Sequence, residues 1–401
     1  MLSEIKQRNP FRHFLVLVLI LVSGSPGVYG NPLNYIFLFS ILVFWPIFHG
    51  KWFFFLSPLW DMLFFGFVFI IITFCHFFVF GIASFPGLFN NLLKLLSFSM
   101  VVFFLKGEFK YVYFEILFYL SLIGLFFWVF YLATGMSFDV TSSQDIFNSI
   151  IVWNVREGEL RNSGPFWEPG AYSGYLMLVP LFFLNEKHFF REHSFKTAVL
   201  VLALLSTLST TGYVAFGIYL VYVGLRSRYW VLVFPVFVLL FCFAFLKLDF
   251  LRDKFLTELQ RVQTLDGGYH GQRFAVLVFD LHYIFKHPLI GNGFLDVTRY
   301  LDHPDVLWGL RSGELVGHGN GLSNFIASMG LITFAVYIFS IIRKNLFVLS
   351  RSDLVFYIGM IILLLNGEQF LYYPIFLGLP FLSLKVKNRT NDHISSPINN
   401  S

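Results

Sequence analysis

The run MLFFGFVFIIITFCHFFVFGI, residues 62–82, carries no Asp, Glu, Lys or Arg. About 20 apolar residues in a helix cross the hydrocarbon core of a bilayer. Backbone N–H and C=O groups find no water at that depth, and a helix satisfies them within the segment. The run therefore reads as a membrane-spanning helix. Working outward, apolar stretches of the same kind occupy 13–29, 33–49, 88–105, 112–133, 170–184, 197–210, 211–226, 229–247, 321–342, 354–366 and 369–384. The pairs 197–210/211–226 and 354–366/369–384 each read equally as one long span or two short ones.

Composition points the same way. The 401 residues are 57% hydrophobic, include 56 Phe and are only 13% charged, with a mean hydropathy of +0.72. Soluble domains carry about a quarter charged residues. The expected fold is an all-α integral membrane protein, a single polytopic domain over 1–401, with about twelve transmembrane helices. The net charge of +5 is scattered in small groups between apolar segments, which argues against a nucleic-acid surface. Lys6, Arg8 and Arg12 before the apolar run from Phe14 to Val22 resemble a signal peptide. With so many equally apolar segments downstream, an uncleaved first span is expected. Cys75 and Cys242 fall inside predicted spans, far apart in sequence, and read as small apolar filler.

Cationic residues accumulate in cytoplasmic loops of membrane proteins. With a cytoplasmic N-terminus, twelve spans place 17 of the 28 Lys and Arg residues in cytoplasmic segments. The short outer loops then hold none. This predicts a multi-pass protein with both termini cytoplasmic and two long extracytoplasmic loops, 134–169 and 248–320. In the second loop, Leu251, Phe255, Leu259 and Val262 recur at helical spacing, predicting an amphipathic helix on the membrane face. A further helix is predicted from Arg273 to Lys286. It stops before His287-Pro288, because a residue preceding proline avoids the α region. The larger loop is thus expected to be helical.

The polar residues gather in these loops. Arg161 stands in Arg161-Asn162-Ser163-Gly164-Pro165, and Arg273 follows Gly271-Gln272. Arginine binds phosphate oxygens in pairs and stays charged, so either suits a phosphate held at the membrane surface. A solvated loop arginine, or one on lipid headgroups, is the other reading of each. His318, in Gly317-His318-Gly319-Asn320, can serve as a general base; a histidine bonded at a helix entry beside Asn320 fits equally. Glu168 can orient an arginine or bind sugar hydroxyls, with Trp167 stacking on a sugar ring. Interfacial aromatic and loop carboxylate roles fit them as well. Asp280, His282 and His287 lack a recognised metal-ligand spacing, as do Asp302, His303 and Asp305, so no metal is expected. Lys94, Glu115 and Glu368 are costly inside a span and suspect for function by default. Lys94 and Glu115 are expected to snorkel near span ends, and Glu368 to sit at a short hairpin. The run Ser206 to Gly212 is unusually small and polar for a span, lining a cavity or forming a tight turn.

Together these segments resemble bacterial O-antigen polymerases and the related O-antigen ligases. The resemblance rests on the run from Arg161 to Gly170, the polar turn from Leu205 to Tyr213, and Gly271-Gln272-Arg273 opening a helix that ends in Lys286-His287-Pro288-Leu289-Ile290-Gly291-Asn292-Gly293. It continues with His318 and Asn320, then a span turning at Gly330. It covers roughly 161–213 and 271–340. Thr210 stands where ligases often place an arginine, which favours a polymerase.

The resemblance implies a GT-C-like polymerase/ligase architecture in the bacterial inner membrane. It implies a glycosyltransferase that joins undecaprenyl-pyrophosphate-linked oligosaccharide repeat units into O-antigen, capsular or exopolysaccharide chains. Catalytic roles then fall on His318, Arg273 and Arg161, and substrate contacts on Arg161, Arg273, Glu168, Trp167, His287 and Asn320. No metal or other cofactor is implied; a chain-length regulator and a flippase of the same pathway are candidate partners. The alternatives are a ligase that transfers finished polymer to lipid A core, and a transporter of the same lipid-linked sugar. The absence of evident half-to-half symmetry argues against the transporter.

Overall fold

The computed structural model describes residues 10–25, 28, 35–36, 38, 40, 56–81, 85–135, 161–186, 188–226, 273–293 and 320–385. All elements of regular structure among them are helices. The longer ones are α1 (Pro10–Val22), α2 (Leu56–Phe80), α3 (Phe85–Leu105), α4 (Phe109–Thr134) and α5 (Pro169–Phe182), then α6 (Ser194–Ser206), α7 (Thr210–Leu225), α8 (Arg273–Lys286), α9 (Gly321–Asn345) and α10 (Arg351–Gly367). Among the described residues, three segments are long and apolar enough to cross a membrane: Met62–Phe80, Phe85–Thr134 and Gly321–Asn345. The second contains both α3 and α4, separated where Lys106 takes a left-handed conformation (φ 49°). The expected spans 33–49 and 229–247 lie largely or wholly outside the described residues, as does the amphipathic stretch 251–262.

Phenylalanine and leucine faces pack α1, α2, α4, α5, α9 and α10 into one core. Apolar residues such as Phe67, Phe78, Phe126 and Val129 stay exposed on the outside. That arrangement suits a lipid surround, where outward apolar surface costs nothing.

Several expected spans are only half-length. At 1.5 Å per residue, α4 with its 26 residues extends about 39 Å. α5 runs antiparallel to it: Phe182 meets Phe109, and the Tyr113 hydroxyl donates to the carbonyl of Tyr175. The Tyr172 hydroxyl donates to Ser121 Oγ, so α5 begins halfway along α4. α6 runs parallel to α4, from Lys196 beside Glu115 to Ser206, which bonds Asn162 next to Gly124. α6 and α7 are therefore two short helices meeting at a turn, Thr207–Ser209, at mid-height of α4. The turn forms because Leu208 adopts a left-handed conformation (φ 47°) and the Ser209 hydroxyl caps α7 by accepting from Gly212 N–H (3.2 Å). Likewise α1 ends at Val22 rather than near residue 29. Gly24 then turns (φ 146°) and its carbonyl accepts from Trp167 N–H.

The last expected span, 369–384, is not a membrane-crossing helix. It is a broken chain with 3-10 turns at Phe370–Tyr372 and Leu379–Phe381 and one helical turn at Pro374–Leu377. Pro374 and Pro380 remove backbone donors, while almost every residue from Phe370 to Leu384 is buried against the other helices.

α9 is kinked at Gly330, whose φ/ψ of 78°/167° is accessible only to glycine. The loop after α8 repairs the break. Leu331 and Ile332 donate to the carbonyls of Pro288 and Leu289, and the freed carbonyls of Ala327 and Ser328 accept from Asn292 and Gly293. Asn292 Nδ2 adds bonds to the carbonyls of Tyr283 and Ala327, both 2.9 Å. Buried backbone groups must be paired, and here the run His287–Gly293 pairs those of the broken helix.

Candidate functional site

The half-helices create a buried polar centre inside an apolar bundle. The segment 161–168 is tucked inward rather than solvated: Asn162, Ser163 and Phe166 are buried, and Phe166 stacks on Tyr175 at 4.3 Å. Asn162 holds Ser206 twice, through N–H to carbonyl (3.0 Å) and Nδ2 to Oγ (2.9 Å). Arg161 Nε donates to the carbonyl of Thr207 (3.3 Å). From that turn, Ser209 Oγ accepts from Ser173 on α5 (3.0 Å), and Gly212 leaves room for the Ser173 side chain.

α5 in turn meets the chain at 367–369. The Glu368 carboxylate lies over Gly170, where any side chain would collide with it. Gly367 packs against Thr211 at the start of α7, and Gly321, first residue of α9, packs against the Glu368 carbonyl. Ser323 then donates to Asp280 on α8 at 2.5 Å. The starts of α5, α7 and α9 thus surround residues 367–369, and helix starts present free N–H groups and partial positive charge.

Arg161 is therefore joined through consecutive contacts to Glu368 and on to α8. Since α8 runs parallel to the first part of α9, its Arg273 end and the Asn320 end of α9 lie on the same side. Arg273 starts α8, seven residues or about 10 Å along the axis from Asp280. His318 lies outside the described residues, as do Gly271 and Gln272.

Other candidates have definite surroundings. Asn320 Oδ1 caps α9 by accepting from Ser323 N–H (3.2 Å). The Trp167 ring stacks on Tyr373 at 4.5 Å. Glu168 is the residue before α5 and makes no capping bond with its side chain. His287 packs its ring against Phe80 at 4.6 Å, and burial, then the charge of Lys286, hold its imidazole below the usual range. It belongs to the loop that repairs α9.

Sequence reasoning underestimated two groups. Lys94 does not snorkel; it is 3% exposed and donates to the carbonyl of Tyr372 (2.8 Å). Glu368, expected at a hairpin, is 6% exposed at the meeting of three helix starts. Their presence in apolar runs was the available signal. Glu115 bonds His13 (3.0 Å) and Lys196 (3.2 Å) at the other end of the bundle.

In comparisons with known proteins, no family model matches this chain and no curated protein matches it.

Proposed function

We propose that this chain is a membrane glycosyltransferase that polymerises undecaprenyl-pyrophosphate-linked oligosaccharide repeat units on the outer face of the bacterial inner membrane. The observation that carries the reading is the position of Arg161. Its Nε donates to the Thr207 carbonyl at a hydroxyl-rich turn just before the start of α7, in an otherwise apolar bundle. An anionic group on a lipid carrier is the ligand such a place suits, because cations and helix starts favour negative charge and the apolar exterior accepts the lipid.

In this reading Arg161 and Arg273 stabilise the charge that builds on the departing pyrophosphate, and His318 takes the proton of the attacking sugar hydroxyl. The bond between the growing chain and its pyrophosphate breaks as the new glycosidic bond forms. The lipid pyrophosphate leaves with the electron pair, so the protein supplies position, charge and a base.

The polysaccharide profile of a deletion strain tests this. Loss of the gene leaves single repeat units attached to the lipid A core, and Arg273→Ala reproduces that profile with normal protein levels. Bare core, with polymer stranded on its carrier, would identify a ligase instead. Unchanged long chains would overturn both.

A further inference from the structure

Among the buried ionisable groups that the roles above leave unused is Glu368, 6% exposed where the starts of α5, α7 and α9 meet. A carboxylate taken from water into an apolar interior is costly unless its surroundings compensate. Here they do. The backbone at 367–369 threads between the starts of α5, α7 and α9, and Gly170, Gly321 and Gly367 each lack the side chain that would block that passage. The carboxylate itself lies against Gly170.

We propose that Glu368 contacts substrate and that its carboxylate accepts hydrogen bonds from hydroxyls of the acceptor sugar, an inference that rests on the polymerase reading. A carboxylate only accepts hydrogen bonds, which suits a polyol. It repels a pyrophosphate, so its ligand is the uncharged sugar end rather than the lipid phosphate end that Arg161 serves. The same segment carries Tyr373, which stacks on Trp167 from the stretch before α5. Lys94 fixes the intervening chain through the Tyr372 carbonyl. Cation and carboxylate thus divide one substrate between them.

The competing role for Glu368 is purely structural, a side chain that caps α5 from a distance. Glu368→Gln separates the two, since it keeps the size and an acceptor oxygen for helix N–H groups while removing the charge. Binding is measured on full-length protein in lipid nanodiscs with two probes, undecaprenyl pyrophosphate and the same carrier bearing one repeat unit. E368Q weakens binding of the sugar-bearing probe about tenfold, equivalent to ~1.4 kcal/mol, and binds the bare carrier as wild type or tighter. Glu368→Asp, which keeps the charge one methylene further back, gives a smaller loss of the same kind, and decides the matter should E368Q fail to insert. Equal binding of both probes by variant and wild type overturns the inference, as does an equal loss of both. Wild-type protein that binds neither probe would instead sink the polymerase reading, and this inference with it.

Discussion

The Glu368 carboxylate occupies the space that a side chain at Gly170 would fill. The two residues lie in different parts of the sequence, one opening α5 and the other closing α10. Their contact ties the turn that holds Arg161 to the helices that follow the second long loop.

Gly170→Ala tests that contact. A methyl group there must displace the carboxylate, and overpacking of this kind costs ~1–3 kcal/mol. The expected outcome is a Tm lowered by several degrees in detergent, together with loss of polymer. A wild-type Tm and full activity would show that the two residues are not packed as described.

The repair of α9 by the loop after α8 makes a graded prediction. Asn292→Ala removes the side-chain donor to Tyr283 and Ala327, whose carbonyls keep the backbone N–H groups of His287 and Asn292, so the loss is ~0.5–1.5 kcal/mol. Gly330→Ala is worse, because the φ of 78° is strained for alanine and a Cβ would strike the carbonyl of Leu289. Thermal unfolding should rank wild type above Asn292→Ala and Asn292→Ala above Gly330→Ala.

At the opposite end, Asp353 accepts from Tyr222 (2.6 Å), Arg226 (2.5 Å) and Ser350 (2.5 Å), joining α7 to α10. Burial raises the Asp353 carboxyl, but the hydrogen bonds and the Arg226 charge outweigh it and hold the group below its ordinary value of 3.8. A folded-state value below the unfolded one adds stability above the unfolded value and loses it as pH falls through the folded one. Stability scans should therefore show wild type losing its advantage over Asp353→Asn only below about pH 4. An advantage independent of pH would contradict the pairing.

Hydropathy revealed where the apolar helices lie, because α2, α3, α4 and α9 have few interruptions. It could not reveal that α5, α6 and α7 stop halfway. Lipid-facing residues and residues buried against other helices are equally greasy, so length alone suggested full spans. The signal that mattered was the polar turn at Ser206–Gly212, readable as cavity lining or as a turn. In 369–384, Pro374, Gly378 and Pro380 marked a broken chain, yet their apolar neighbours gave the hydropathy of a span. Arg161 was legible as a candidate from its setting among turn formers. Its union with Thr207, Ser173 and Glu368 was not, because that depends on tertiary contacts between segments up to two hundred residues apart in sequence. The run Lys286–Gly293 was legible as a motif, but its service to the kink at Gly330 appears only in three dimensions.

The central claim is that Arg161 serves a pyrophosphate leaving group during chain growth. Purified protein in nanodiscs, given only undecaprenyl-pyrophosphate-linked repeat units, should form a ladder of polymer and release undecaprenyl pyrophosphate. Arg161→Ala should slow this by about 10²–10³-fold, the usual effect of losing one preorganised contact to developing negative charge. No polymer from wild type, or an undiminished rate in Arg161→Ala with its fold intact, would contradict the account.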